Sequence, residues 1–197
     1  MAVSVIRHTA MKQNENDDKR WEVLDTTYLY RYPWLTARKD HVRLPNGNEI
    51  PDYYVLEYPT WVNVLAITAE GRMVMVRQYR HGLGVTALEL VGGVMDSSDE
   101  SAEAAARREL WEETGYAGGE WSHWATFAPN PGAMNNVCHT FLAQGVTRVS
   151  GQHLEPTEDI DVCLMDPSEV RAVLEADGVK QALMAASLWK WFAKTEH

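Results

Sequence analysis

The stretch RRELWEETGY, Arg107 to Tyr116, crowds three glutamates into five positions, with a glycine two residues after the last. On an α-helix, residues three and four apart share a face. Glu109, Glu112 and Glu113 stand at i, i+3 and i+4, so a helix here turns all three carboxylates to one side. Like charges at that spacing repel by about a few tenths of a kcal/mol per pair. The chain already carries a formal charge of −10. Two readings follow. Either Arg107 and Arg108 absorb the charge on a solvated face, or the face binds a hard divalent cation, whose preferred ligands are oxygens.

Working outward, the helix is predicted around Ser101 to Thr114. Its start has three candidates: Ser97 with Glu100 as a capping box, Asp99, or Ser101. Gly115 suits the position just past the helix end. Upstream the pattern is strand-like. LDTTYLYRY and TARKDHVRL are rich in β-branched and aromatic residues, and the Asn46-Gly47 pair favours a tight hairpin into DYYVLEY. WVNVLAITA and RMVMVRQYR flank a second turn at Ala69-Glu70-Gly71, and TALELVGGV follows. Downstream, WSHWATFA, VCHTFLAQ and DIDVCLM read as strands. Pro167 sits at a first helical position after Asp166. Val179, Ala182, Leu183, Ala186 and Trp189 recur at helical spacing. Strands, helix, strands, helices predict an α+β fold, a mixed sheet flanked by helices with an N-terminal antiparallel β extension. The expected divisions are a polar arm over 1–20, the β-rich extension over 21–58 and the main domain over 59–197.

The chain has 197 residues, of which 45% are hydrophobic, enough for one domain with a real core. Its 28 acidic against 18 basic residues argue against nucleic acid or anionic membrane as partners. An anionic small substrate then needs local arginines or a metal. Cys138 and Cys163 read as reduced thiols rather than a disulfide framework. MAVSVIRHTAMKQ has no apolar run of signal-peptide length, and no 18-residue apolar stretch exists. The expectation is a soluble, cytoplasmic protein.

GGVMDSSDESAEAAARRELWEETGY, Gly92 to Tyr116, resembles the Nudix box. Gly93 matches its glycine, Arg108-Glu109-Leu110 its Arg-Glu-apolar element, Glu112-Glu113 its paired glutamates, and Gly115-Tyr116 its close. The spacing departs at one point: six residues rather than five separate Gly93 from Glu100. Either the loop is one residue longer, or Asp99 replaces that glutamate. VRQYRHGLGVTALELVGG before the box, Pro131 beyond it and the later EPTEDIDV resemble the ADP-ribose pyrophosphatase and nucleotide-sugar hydrolase branch. The likeness runs from about Trp21 to Trp191 and implies an α/β/α Nudix-type sandwich.

The resemblance also implies roles. Glu109, Glu112 and Glu113, with the carbonyl of Gly93, would hold magnesium, for which manganese can substitute, against a substrate diphosphate. Arg108 would orient a glutamate. The catalytic set comprises Glu112 and Glu113 with a general base from the later loop: Glu158 first, then Glu155, then Asp159. Arg80 and Arg77 are candidates for phosphate contact, although strand alternation puts them on opposite faces and Arg80 is nearer the loop. Glu89 is either a substrate-side carboxylate near the metal or a buried one that orients the loop. Pro131 is counted with the substrate-binding residues. No histidine has ligand spacing. The tryptophans read mainly as core or interface, Trp34 and Trp61 as contacts of a homodimer. The implied reaction is hydrolysis of the diphosphate linkage in ADP-ribose or a related nucleoside diphosphate sugar. ADP-ribose would give AMP and ribose 5-phosphate. The alternatives are a GDP-mannose-type hydrolase and a non-catalytic nucleotide sensor of the same fold.

Overall fold

The computed structural model describes residues 19–195. The arm expected over 1–20 therefore lies, up to residue 18, outside the described residues. The chain divides into two units, one ending at Leu56 and one beginning at Glu57.

The first unit is a three-stranded sheet in the order β1 (Glu22–Tyr32), β2 (Leu35–Arg43), β3 (Glu49–Glu57). β1 and β2 pair antiparallel from Glu22↔Arg43 to Tyr32↔Leu35, leaving Pro33 and Trp34 as the turn. Pro33 fixes the first turn position. Trp34 then takes φ 65°, a left-handed value normally left to glycine or asparagine. No glycine marks this turn, so composition gives little warning of it. The second hairpin turns where Asn46-Gly47 predicts: Gly47 has φ 86° and donates to the Leu44 carbonyl at 2.9 Å. Little of this unit is buried. Val42 and Val55 are, with Asp40, which accepts from Thr26 and Arg38.

The second unit holds a sheet in the order β10-β5-β6-β4-β9-β7, with β8 added on β9. Its strands are β4 (Trp61–Thr68), β5 (Met73–Arg80), β6 (Val85–Val94), β7 (Tyr116–Ala117), β8 (Glu120–Phe127), β9 (Cys138–Arg148) and β10 (Ile160–Met165). Every pairing is antiparallel except β4 with β9. β4 forks: Trp61 to Val64 pair with β6, and Ala66 and Ile67 with β5. Alternation along β4 then builds two cores. Val62, Val64 and Ala66 pack with Val76, Val91 and Phe141 beneath α1 (Ala102–Thr114). Leu65 and Ile67 pack with Met75, Leu90 and Leu142 beneath α2 (Pro167–Glu175) and α3 (Ala182–Thr195). The sheet thus lies between α1 and the α2–α3 pair.

Two helix readings resolve here. α1 is capped by Ser101, whose Oγ accepts from the Ala104 N–H at 3.1 Å, and closes on Gly115 at φ 74°. α3 buries Leu183 of the expected stripe, and Val179 before it is buried too, but it leaves Ala182 and Trp189 exposed. Its buried face carries Leu183, Met184, Ser187, Leu188 and Phe192. This helix is apolar nearly all round, so spacing alone admits several stripes. Ser187 enters the buried face because the Thr140 hydroxyl on β9 meets it at 2.9 Å.

Candidate active site

The site starts from the cap and phase of α1. With the helix begun at Ser101, Glu109 and Glu113 face the sheet and are buried, while Glu112 sits one step round and is half-buried. Gly93, on β6, is opposite. A Cβ there would lie 2.4 Å from the Glu109 carboxylate, so only glycine lets the strand come this close. The Gly92 N–H donates to the Glu113 carboxylate. The second Glu113 oxygen, Oε2, is buried with no partner among the described residues.

Arg108 organises the surroundings. It makes a forked pair with Asp99 at 2.9 and 3.2 Å and donates to the Val94 carbonyl at 3.0 Å. Its Nη1 reaches Glu109 at 3.0 Å and Glu112 at 2.9 Å. Of the two alternatives for the long loop, the fold gives Arg108 to Asp99, and Glu100 is exposed. The bond to Arg108 holds the Asp99 carboxyl below its usual range.

The electrostatics are uneven across the glutamates. Burial raises Glu109. Glu113 is pushed up to about 8, first by burial and then by Glu109. Glu158 adds a smaller repulsive contribution to the rise of both. Two like charges sharing a desolvated site cannot both ionise cheaply without a cation. Among the described residues no three acidic or imidazole groups stand in cation-holding geometry. The geometry gives the reason: Glu112 is turned to Arg108. The donor set nevertheless suits a hard divalent cation, with an orphaned carboxylate oxygen, a raised acidic pair and carboxylate oxygens throughout.

The later loop is tied to α1. The Gln152 side chain donates to the carbonyls of Glu113 and Ile160, both at 2.8 Å, and the His153 N–H to the Glu112 carbonyl at 2.7 Å. His153 stacks on Trp111 with ring centres 4.1 Å apart. Within the loop Glu158 is half-buried, while Glu155 and Asp159 are exposed. The Glu155 N–H donates to Glu158 Oε2 at 2.9 Å.

Arg80 and Glu89 pair across β5 and β6 at 2.5 to 3.1 Å, the carboxylate almost wholly buried and the guanidinium 43% exposed. The buried, hydrogen-bonded state weighed for Glu89 is therefore the one present. Arg77 lies on the other face, exposed, and interacts with Cys163. Pro131 is exposed in the 128–137 loop; Asn135 and Asn136 hold that loop to Tyr58 and Pro59. Cys138 and Cys163 are free thiols.

A cavity of about 440 Å³ opens beside the site. It touches Arg80, Glu89 and Gly93, and also Asn63, Lys180 and Gln181. The last three are absent from the sequence-derived set. One signal could have raised Asn63: it is the only polar residue in the run WVNVLAI.

Comparison with known proteins agrees with this architecture. Residues 57–186 match the NUDIX domain, and residues 21–56 the nucleoside diphosphate sugar hydrolase N-terminal domain. The chain is 31% identical over 150 residues to an ADP-ribose pyrophosphatase of Bacillus subtilis (strain 168), covering 76% of this chain and 80% of that one. It is 31% identical over 140 residues to a GDP-mannose pyrophosphatase of Pectobacterium atrosepticum, covering 64% of this chain and 71% of that one. A crystal structure of an ADP compounds hydrolase superposes with a TM-score of 0.77 at 21% identity, covering 90% of this chain and 97% of that one. No helix among the described residues is long and apolar enough to cross a membrane.

Proposed function

The chain belongs to the NUDIX domain family of hydrolases, and from that premise we propose that it hydrolyses the diphosphate linkage of ADP-ribose or a related nucleoside diphosphate sugar. One observation carries the reading. Glu109 and Glu113 form a buried, charge-frustrated carboxylate pair that feels the charge of Glu158, and the Arg80–Glu89 fork lines the cavity that reaches Gly93 opposite them. Such a pair favours a divalent cation and an anionic ligand over either alone.

Glu109, Glu112 and Glu113, with the Gly93 carbonyl, are the residues that would hold the cation, magnesium by preference. When bound it supplies neutralising charge for the diphosphate and a lower pKa for a ligated water. The chain's own groups do the rest. Glu158, whose charge both members of the pair feel, takes the proton of the attacking water. Arg80 has its Nε and Nη2 on Glu89, which leaves Nη1 for a phosphate oxygen. Arg108 and Asp99 fix the helix side of the site. ADP-ribose would leave as AMP and ribose 5-phosphate, and another nucleotide sugar as a nucleoside monophosphate and a sugar 1-phosphate. The active form is a homodimer built on the first unit.

The test is cleavage of ADP-ribose, GDP-mannose, ADP-glucose and UDP-glucose with magnesium and with chelator, beside Glu112→Gln. The expected result is magnesium-dependent cleavage that falls roughly a hundredfold in the variant. Cleavage of no panel member, with nucleotide binding intact, would sink the hydrolase reading in favour of a sensor.

A further inference from the structure

Asn63 sits in the middle of β4, 3% exposed, on the face toward α3. Its Nδ2 is buried and has no hydrogen-bond partner among the described residues. An unpaired buried amide donor is unfavourable and is seldom kept without a reason. Its polar neighbours do not supply a partner. Thr140, beside it on β9, pairs with Ser187, and Ser187 donates to the Leu183 carbonyl. On the other flank Asn63 is opposite Gly92, where a Cβ would come within 2.5 Å of its side-chain oxygen.

That glycine pair sets the geometry. Gly92 and Gly93 are consecutive, so their missing side chains face opposite sides of the sheet. Gly93 clears space at the Glu109 carboxylate and Gly92 at Asn63. The cavity is lined by Arg80 and Glu89 and also by Asn63, Lys180 and Gln181. Lys180 gives one donor to the Asp177 carbonyl at 2.8 Å, and its ammonium has two more. Gln181 is spent as the cap of α3, its Oε1 accepting from the Met184 N–H at 3.0 Å.

We propose that Asn63 and Lys180 form a sugar subsite of this cavity, in which Asn63 donates to a ring hydroxyl and Lys180 to the oxygens at the subsite's rim. The proposal rests on the hydrolase reading for the position of the diphosphate. In a nucleoside diphosphate sugar each phosphate is esterified to a sugar. Whichever half enters, the first group past the diphosphate is a hydroxyl-bearing ring, and Asn63 and Lys180 line the same cavity as Arg80, the phosphate-contact candidate. The groups that remain for it are donors, which match hydroxyl oxygens. Asn63 is then a specificity-determining residue whose unmet hydrogen bond is completed by ligand.

The experiment is calorimetric binding of ADP-ribose and GDP-mannose in chelator to the wild-type chain, Asn63→Leu and Lys180→Ala, with thermal melts of all three. The expected result is roughly tenfold weaker binding of the tighter ligand in each variant. Asn63→Leu should melt at or above the wild-type temperature, because it removes an orphaned donor rather than a bond. Repeating the titration with AMP and ribose 5-phosphate assigns the subsite to the nucleoside ribose or the outer sugar, according to which loses affinity. Unchanged affinity in both variants, wild-type binding of neither ligand, or a weakening matched by a lower melting temperature in both variants overturns the subsite. Binding that shows the tenfold loss in a chain that cleaves nothing with magnesium would sink the hydrolase reading and leave the subsite standing.

Discussion

Glu113 shows how one residue links folding to the proposed chemistry. In a solvated helix its carboxyl would titrate near the ordinary glutamate value. Burial and Glu109 push it up to about 8. The sign follows from linkage. A group whose folded pKa is raised stabilises the fold at pH below its unfolded value, and that contribution is lost as pH climbs through the folded value. The metal-free protein should therefore lose stability from about pH 5 to about pH 8. Melting curves in chelator across that range should show the decline, and Glu113→Gln should flatten it. Magnesium at pH 8 should raise the wild-type melting temperature and do less for the variant. A wild-type profile already flat in chelator would mean that the carboxyl ionises freely.

At the scale of elements, the loop that carries Glu158 is fastened to α1 rather than left loose. Gln152 bridges the last turn of α1 to the start of β10, and Trp111 stacks on His153. Gln152 acts through the carbonyls of Glu113 and Ile160, as a positioning residue. Gln152→Ala should lower kcat by roughly tenfold while KM stays within about threefold, at a stability cost of about 1–2 kcal/mol. The double variant with Glu158→Gln should be no slower than Glu158→Gln alone, since both would act on the one proton transfer proposed above. Additive losses would show that Gln152 matters for some other reason.

At the scale of the whole molecule, the first unit presents an unusual surface. β1 is an outer strand of its sheet and is exposed on both faces, with Leu29, Tyr30 and Tyr32 open to solvent and Trp34 73% exposed at the turn. Contiguous apolar surface on an outer strand invites a partner, and a second copy is the partner proposed here. Light scattering should give twice the 22.3 kDa chain mass. Tyr30→Asp with Tyr32→Asp should bring it to the single-chain value and reduce activity. A wild-type chain of single mass would exclude the dimer.

The sequence by itself determined what is local. The i, i+3, i+4 glutamates, the glycine after the helix, Asn46-Gly47 and the alternating strands all encode backbone preferences a few residues long, and the strands and α1 stand where those preferences put them. The placement of Arg77 and Arg80 on opposite faces followed from alternation in the same way. The tertiary structure decided what depends on contacts distant in sequence. The parallel pairing of β4 with β9 brings residues 61–68 beside 138–146 and cannot be read from either segment. The buried face of α3 takes in Ser187 because Thr140, 47 residues away, meets it there. Asp99 rather than Glu100 met Arg108 because the Ser101 cap set the helix phase. Asn63 and Lys180 share a cavity only because β4 lies under the start of α3. The spacing of charges along a chain is written in its sequence, but which of them lose their water is a property of the packed fold, and that loss sets their energies.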